Sequence, residues 1–377
     1  MHSIQKSFIN SLVIANIIFL TACEKSHYTH TESDINSTLD MNTTLLVENE
    51  SYYRYMWHIN AQDNYFNSHG YTIDPNADIN ITQAWETTQG EGVKVAVIDD
   101  SFDVNHEDLQ ANIYKAYNAD NGSSDVSNNS SYESSHGNSC AGFIVAPINS
   151  KGIVGTAPKS KLIAIKLLGE SDSDIIKAFE YAKNQGAKVI SCSWGTYNLS
   201  EALNSELKSL YESGITILFA SGNDKKDLDE TGINDESESP WVLGVGASAE
   251  NNDVTTYSNY GKNMDFLAPG GDTQLSIGLL GLDDSGYKGS SNQQGIVTNN
   301  YAFTDGTSFS APIASGVVAL MYSVNPNITP AQVREILIET SDKIGLDSSY
   351  IDGFDKERAY GKINASKAVQ MAYERKL

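Results

Sequence analysis

A chain of 377 residues has room for one large domain or two smaller ones. With 40% apolar residues it can bury a core, which excludes a wholly disordered chain. Its formal net charge of −23 excludes a nucleic-acid binder, because phosphate contacts need clustered Lys and Arg. Its three cysteines, Cys23, Cys140 and Cys192, cannot make a disulfide framework.

The first predicted element is an export signal. Lys6 precedes the apolar run Leu12-Val-Ile-Ala-Asn-Ile-Ile-Phe-Leu20, and Thr21-Ala22-Cys23 follows. A basic start, a short apolar stretch and small residues before a cut describe a secretory signal, and the run is too short to span a bilayer comfortably. Leu20-Thr-Ala-Cys23 resembles a bacterial lipobox, in which the cysteine becomes the acylated first residue; an ordinary signal with an incidental cysteine is the alternative. The reading is a signal peptide over 1–22, lipidation at Cys23, and a tether over 23–49 rich in Ser, Thr, Asn, Asp and Glu. The expected localisation is the bacterial cell envelope, lipid-anchored and facing the periplasm or the exterior. One folded domain is expected over 50–377.

Within it, Val93-Lys-Val-Ala-Val-Ile98 is a mostly apolar, β-branched run of the kind buried in a parallel sheet. The segments 161–168, 188–191 and 214–220 read the same way. Between them, 174–183 and 200–212 carry apolar residues at helical spacing, with Gly186 and Gly214 as stops. The apolar stretch 311–322 predicts a buried helix. Strand and helix in alternation predict an α/β fold with a mostly parallel central sheet. The stretch 271–304, rich in Gly, Ser, Asn and Asp, reads as a surface insertion bordering the site.

Four polar residues stand where chemistry gathers. Asp99 ends the strand 93–98, and catalytic groups in α/β sheets collect at the carboxyl ends of strands. His136 lies in His-Gly-Asn-Ser-Cys-Ala-Gly142, whose small residues permit close helix packing. Asn223 follows Ala220-Ser-Gly222 at the end of another strand. Ser308, in Asp305-Gly-Thr-Ser-Phe-Ser-Ala-Pro312, precedes a helix whose N-terminal N–H groups can stabilise an anion. Singly, each has an ordinary explanation as a cap, a core histidine or a turn.

Together, in the order Asp, His, Asn, Ser, they resemble the subtilisin-like serine proteases (subtilases). Val-Ala-Val-Ile-Asp, His-Gly-x-x-x-Ala-Gly, Ser-Gly-Asn and Gly-Thr-Ser-x-x-Ala-Pro are that family's blocks. Tyr257-Ser-Asn-Tyr-Gly261, Leu267-Ala-Pro-Gly270 and Tyr360-Gly-Lys-Ile-Asn364 are further landmarks, so the resemblance covers about residues 50–372. It implies a three-layer subtilisin-like fold and a serine endopeptidase acting through an acyl-enzyme. Ser308 would be the nucleophile, His136 the general base and acid, and Asp99 the orienting carboxylate. The Asn223 side chain and the Ser308 N–H would bind the oxyanion.

By the same resemblance, Ser193, Trp194 and Gly195 would pair with an extended substrate, and Ala220, Ser221 and Gly222 would line the other wall of the S1 pocket. The Asp99-Asp100 pair, Cys192-Ser-Trp-Gly195, Cys140 and the aromatics from Tyr53 to Trp57-His58 lean towards the kexin-like branch, which cleaves after basic residues. There Asp100 matches an acidic S2 residue, while Asn198 and Asn234 fall where S1 acids are expected. Structural calcium is implied at Glu50, Asp108 and Asn149, since two carboxylates, one amide and loop carbonyls could supply the six to eight oxygens calcium takes. Expected partners are a protein or peptide substrate and, through the lipid anchor, a membrane; a monomer is expected. Cys140, four residues after His136, would share its helix face.

Overall fold

The β-branched runs become a seven-stranded sheet in this computed structural model, which describes residues 47–63, 65–128, 135–169, 171–286 and 299–376. These residues belong to one compact unit, Leu39–Leu377. The expected signal peptide, most of the tether and Cys23 lie outside the described residues. Val47 is already buried in the core.

The strands are β1 (Lys94–Asp99), β2 (Ile113–Asn118), β3 (Lys161–Lys166), β4 (Val189–Cys192), β5 (Thr216–Ala220), β6 (Leu243–Ser248) and β7 (Phe266–Pro269). Their order is β2-β3-β1-β4-β5-β6-β7, and every neighbouring pair is parallel. Two further strands, β8 (Leu279–Leu282) and β9 (Tyr301–Thr304), form an antiparallel pair. The helices are α1 (Tyr65–Ser68), α2 (Ile81–Thr87), α3 (His136–Val145), α4 (Asp172–Asn184), α5 (Glu201–Glu212), α6 (Thr307–Val324), α7 (Pro330–Thr340) and α8 (Ala365–Glu374).

Strand alternation explains the three layers. Along β1, Val95 and Val97 join a core with Phe143 of α3 and Ile313 and Val317 of α6. Ala96 and Ile98 face the other side, with Phe179 of α4 and Leu203, Leu207 and Leu210 of α5. The helices α4 and α5 begin at Ser171 and Ser200, whose side chains accept the N–H of Asp174 and Leu203 and so relieve two unpaired donors. Helix α6 is long and apolar enough to cross a membrane, but it is sheathed by the core and serves as the central helix.

Parallel pairing sets the site. Ile98 pairs with Cys192, and Cys192 with Phe219, so β1, β4 and β5 end level with one another. The residues that follow, Asp99, Ser193 and Ser221 to Asn223, are delivered to one edge.

The stretch 271–304 departs from the expected surface insertion. Its two ends are buried as β8 and β9, while 287–298 lies outside the described residues. Leu282 packs on Gly142 of α3, Ser139 Oγ donates to the Leu282 carbonyl at 2.8 Å, and Asn138 Nδ2 to that of Asp283 at 3.1 Å. The hairpin therefore buttresses the helix that carries His136. Its polar composition concealed a few apolar residues, Leu279, Leu280 and Leu282, the last two paired with Phe303 and Tyr301.

Candidate active site

Asp99, at the end of β1, is 5% exposed, and its Oδ1 lies 2.8 Å from His136 Nδ1. That bond leaves Nε2 as the imidazole's reacting nitrogen. Burial opposes charge on His136, but the Asp99 carboxylate outweighs it and holds the ring well above its ordinary pKa. The same attraction stabilises the imidazolium that forms when the ring takes a proton.

His136 is the first residue of α3, and Asp100 ties that helix start to β1. Its Oδ2 accepts the His136 N–H at 3.3 Å and its Oδ1 the Gly137 N–H at 3.0 Å. The expected acidic S2 residue thus spends its carboxylate as a helix cap, although it also borders the cleft. Burial and the neighbouring Asp99 raise its pKa.

Ser308 stands in the first turn of α6, which begins four residues before the apolar stretch that marks it in the sequence. Pro312 has no N–H to give the carbonyl one turn back, at Ser308. That carbonyl accepts instead from Ser193 Oγ at 2.7 Å and Cys140 Sγ at 3.4 Å. Ser308 Oγ donates to the Ser193 carbonyl at 3.3 Å, so its hydroxyl proton has to leave that carbonyl before it can pass to His136.

Asn223 is oriented by Thr307. Its Oδ1 accepts the Thr307 N–H at 2.9 Å and Oγ1 at 2.8 Å, which fixes the carbonyl end and leaves the amide N–H to donate elsewhere. Gly222, at φ +97°, makes this turn possible; a Cβ there would come within 2.4 Å of Asn259 Nδ2.

Two pockets flank the strip Ser193 to Gly195. The first is lined by that strip, Tyr197, Ala220 to Asn223, Asp235, Thr307 and Ser308. The second, on the His136 side, is lined by Asp99, Asp100, His136, Leu167 to Gly169, Ile175 and Thr196. Trp194 pins the strip, its Nε1 donating to the Ile98 carbonyl at 2.9 Å. The first pocket corrects one expectation: Asn234 is turned away, with its Nδ2 on the Leu199 carbonyl at 2.7 Å. It pairs with Asn198 as a short parallel bridge. In extended backbone the next side chain faces the other way, so Asp235 lines the pocket instead. Thr307 and the Leu167 to Gly169 segment were also missed; the rule for carboxyl ends of strands, applied to β3, finds the latter.

Cys140 is fully buried, with its Sγ 3.7 Å from His136 Nδ1, as the helical spacing requires. Burial pushes its thiol up to about 11.

The calcium expectation does not fit. Glu50, Asp108 and Asn149 do meet, but on N–H donors. Glu50 accepts the backbone N–H groups of Asn149, Ser150 and Lys151 at 2.6, 2.8 and 2.8 Å. Asp108 accepts Ile153 N–H at 2.8 Å and Asn149 Nδ2 at 2.9 Å. Burial raises Asp108 to about 7. Calcium needs converging oxygens, and here backbone N–H groups occupy the carboxylates from the loop side.

Comparison with known proteins shows the family. The sequence model described as "Subtilase family" matches residues 90–363. Thermitase of Thermoactinomyces vulgaris is 30% identical over 314 residues, 82% of this chain and 98% of that protein. A calcium-dependent protease of a Nostoc species is 31% identical over 341 residues, 80% of this chain. The chain spans less than half of that protein, 49%, and 43% of another relative. Among solved structures, a protease from Pseudoalteromonas arctica superposes with a TM-score of 0.71 at 26% identity, covering 86% of this chain and 99% of that one.

Four outcomes follow from the geometry. Asn223→Ala should lower kcat by the equivalent of about 3–4 kcal/mol with little change in KM, and Thr307→Val should reproduce part of that loss. Steady-state kinetics on one peptide checks both. Because N–H donors meet Glu50 and Asp108, Asp108→Ala should leave unchanged whatever effect chelator or added calcium has on the melting curve. Glu50→Gln should instead cost about 1–3 kcal/mol of stability by leaving buried N–H groups poorly met.

Proposed function

The chain belongs to the subtilase family of serine endopeptidases, and from that premise we propose that it is a secreted enzyme held at the bacterial cell envelope by a lipid on Cys23. Its substrates are proteins or peptides bound in extended form along Ser193, Trp194 and Gly195. The catalytic set is complete in a monomer, since Asp99, His136, Asn223 and Ser308 all come from one chain. The observation that carries the catalytic reading is the 2.8 Å bond from His136 to Asp99, with Ser308 in the first turn of α6.

The reaction follows. Ser308 Oγ attacks the scissile carbonyl carbon while His136 Nε2 takes its proton. The carbonyl oxygen becomes an anion, met by the Asn223 amide and the Ser308 N–H. His136 then returns the proton to the departing amine as the C–N bond breaks, leaving Ser308 acylated. Water, deprotonated by His136, attacks the ester and restores the hydroxyl. Asp99 stays ionised and keeps the ring in its working tautomer. Relatives named calcium-dependent support a structural ion in this chain, but Glu50, Asp108 and Asn149 as they stand are met by N–H donors, and no step here uses an ion.

The anchor rests on the sequence Leu20-Thr-Ala-Cys23. A radiolabelled fatty acid should enter the wild type and not Cys23→Ser; a wild type recovered unacylated would refute the anchor and leave the catalytic reading intact. A fluorophosphonate probe should label the wild type and spare Ser308→Ala. If the wild type is neither labelled nor able to cleave an unfolded protein, it is not an active endopeptidase.

A further inference from the structure

The pocket beside Ser308 receives the substrate residue whose carbonyl is attacked, and one of its lining groups is charged. Asp235 is 3% exposed. Its Oδ1 is fixed by the Ser237 N–H at 2.9 Å and by the Ser237 hydroxyl, and the Tyr197 backbone N–H also bonds the carboxylate. Its Oδ2 lies against the substrate-binding strip, 2.9 Å from where a Cβ on Gly195 would stand. Glycine at 195 therefore leaves the carboxylate open towards the pocket; any side chain would cover it. A second buried acid, Glu236, lies just behind, with its carboxylate on the Thr196 N–H at 2.9 Å and the Thr196 hydroxyl at 2.6 Å. Among the described residues, neither Asp235 nor Glu236 forms an ion pair.

We propose that Asp235 selects substrates with lysine or arginine at P1, by supplying the counter-charge at the floor of this pocket. The inference rests on the endopeptidase reading and deepens it. A buried carboxylate without a cation is costly, and a substrate ammonium or guanidinium relieves that cost. The aliphatic stem of either side chain would lie between Trp194 of one wall and Ala220 and Gly222 of the other. An acidic P1 residue meets two negative charges, and a purely apolar one buries the carboxylate with no cation beside it, so the pocket selects against both. Asp100 cannot take this role: it caps α3 and borders the other pocket.

The test is a peptide series that varies only at P1, with Arg, Lys, Leu, Phe and Glu, run on the wild type and Asp235→Asn. The wild type should favour Arg and Lys in kcat/KM. Asp235→Asn should lose about thirtyfold or more on those two while changing Leu by less than about threefold. If the wild type carries the fluorophosphonate label and cleaves protein but favours Leu or Phe, or makes no distinction, the proposal is overturned and the endopeptidase reading stands. An unlabelled, inactive wild type overturns both. Should Asp235→Asn fail to fold, benzamidine on the wild type decides: competitive inhibition, with benzyl alcohol inert, supports the cation site, and indifference to benzamidine refutes it.

Discussion

The 2.8 Å between Asp99 and His136 depends on two elements meeting end to end, the last residue of β1 and the first residue of α3. Neither can drift. Strand β1 lies between β3 and β4 with both faces covered, and α3 is buried along its length after His136. Asp100 bonds the first two N–H groups of α3 back to the strand end. Gly137 makes the approach possible, since a Cβ there would fall 2.6 Å from the Ser101 carbonyl and 2.9 Å from Asp99 Cβ. From behind, the β8–β9 hairpin closes on Ser139 and Gly142. A short hydrogen bond is thus the visible end of a packed stack, and preorganisation of this kind is what a charge-developing reaction uses.

The nucleophile is held by an equally specific local defect. Pro312 removes a helical hydrogen bond, and the carbonyl it frees, that of Ser308, draws in Ser193 and Cys140. One carbonyl freed from its helix thereby connects the backbone of Ser308 to the strip Ser193 to Gly195 and to the helix that carries His136. A buried carbonyl seeks donors, so the proline that weakens α6 locally ties three segments together around the reacting atoms. The buried thiol serves here as a donor close to the imidazole.

Much of this was legible because it follows from local rules. The runs at 93–98, 161–168, 188–191 and 214–220 became β1, β3, β4 and β5 within a few residues, since continuous β-branched sequence has little alternative in a parallel sheet. The helices α4 and α5 were marked by their apolar spacing and by the glycine stops Gly186 and Gly214. The four motif residues fall at the ends of elements, where sequence position fixes spatial position. What escaped depended on register or hydrogen-bond polarity. Asn234 and Asp235 differ by one step in extended backbone, and motif spacing cannot say which side chain faces the pocket. Likewise Glu50, Asp108 and Asn149 were rightly expected to gather, but residue type does not reveal whether a loop presents carbonyl oxygens or N–H groups. In 271–304 the polar majority hid the few apolar residues that decide burial.

The acidic composition becomes intelligible through the ways this fold keeps carboxylates inside. Glu250 follows the pattern of Glu50: it accepts the N–H groups of Gly278 at 2.6 Å and Asp272 at 3.1 Å, holding the start of the β8–β9 region to the body. Asp265 is buried against Arg334, 3.2 Å away, and also accepts the Gly244 N–H. These are the two ordinary solutions, backbone donors or a cation. Their cost still shows, because burial raises Glu250 to about 7 and Asp265 to about 6. Asp235 is raised to about 6 by the same cause, yet its bonds come only from neutral donors of Ser237 and Tyr197, and it faces a pocket where a cation would stand. A carboxylate placed where a fold completes its charge balance only by admitting something from outside is positioned for recognition, and its neighbour across the cleft is the nucleophile.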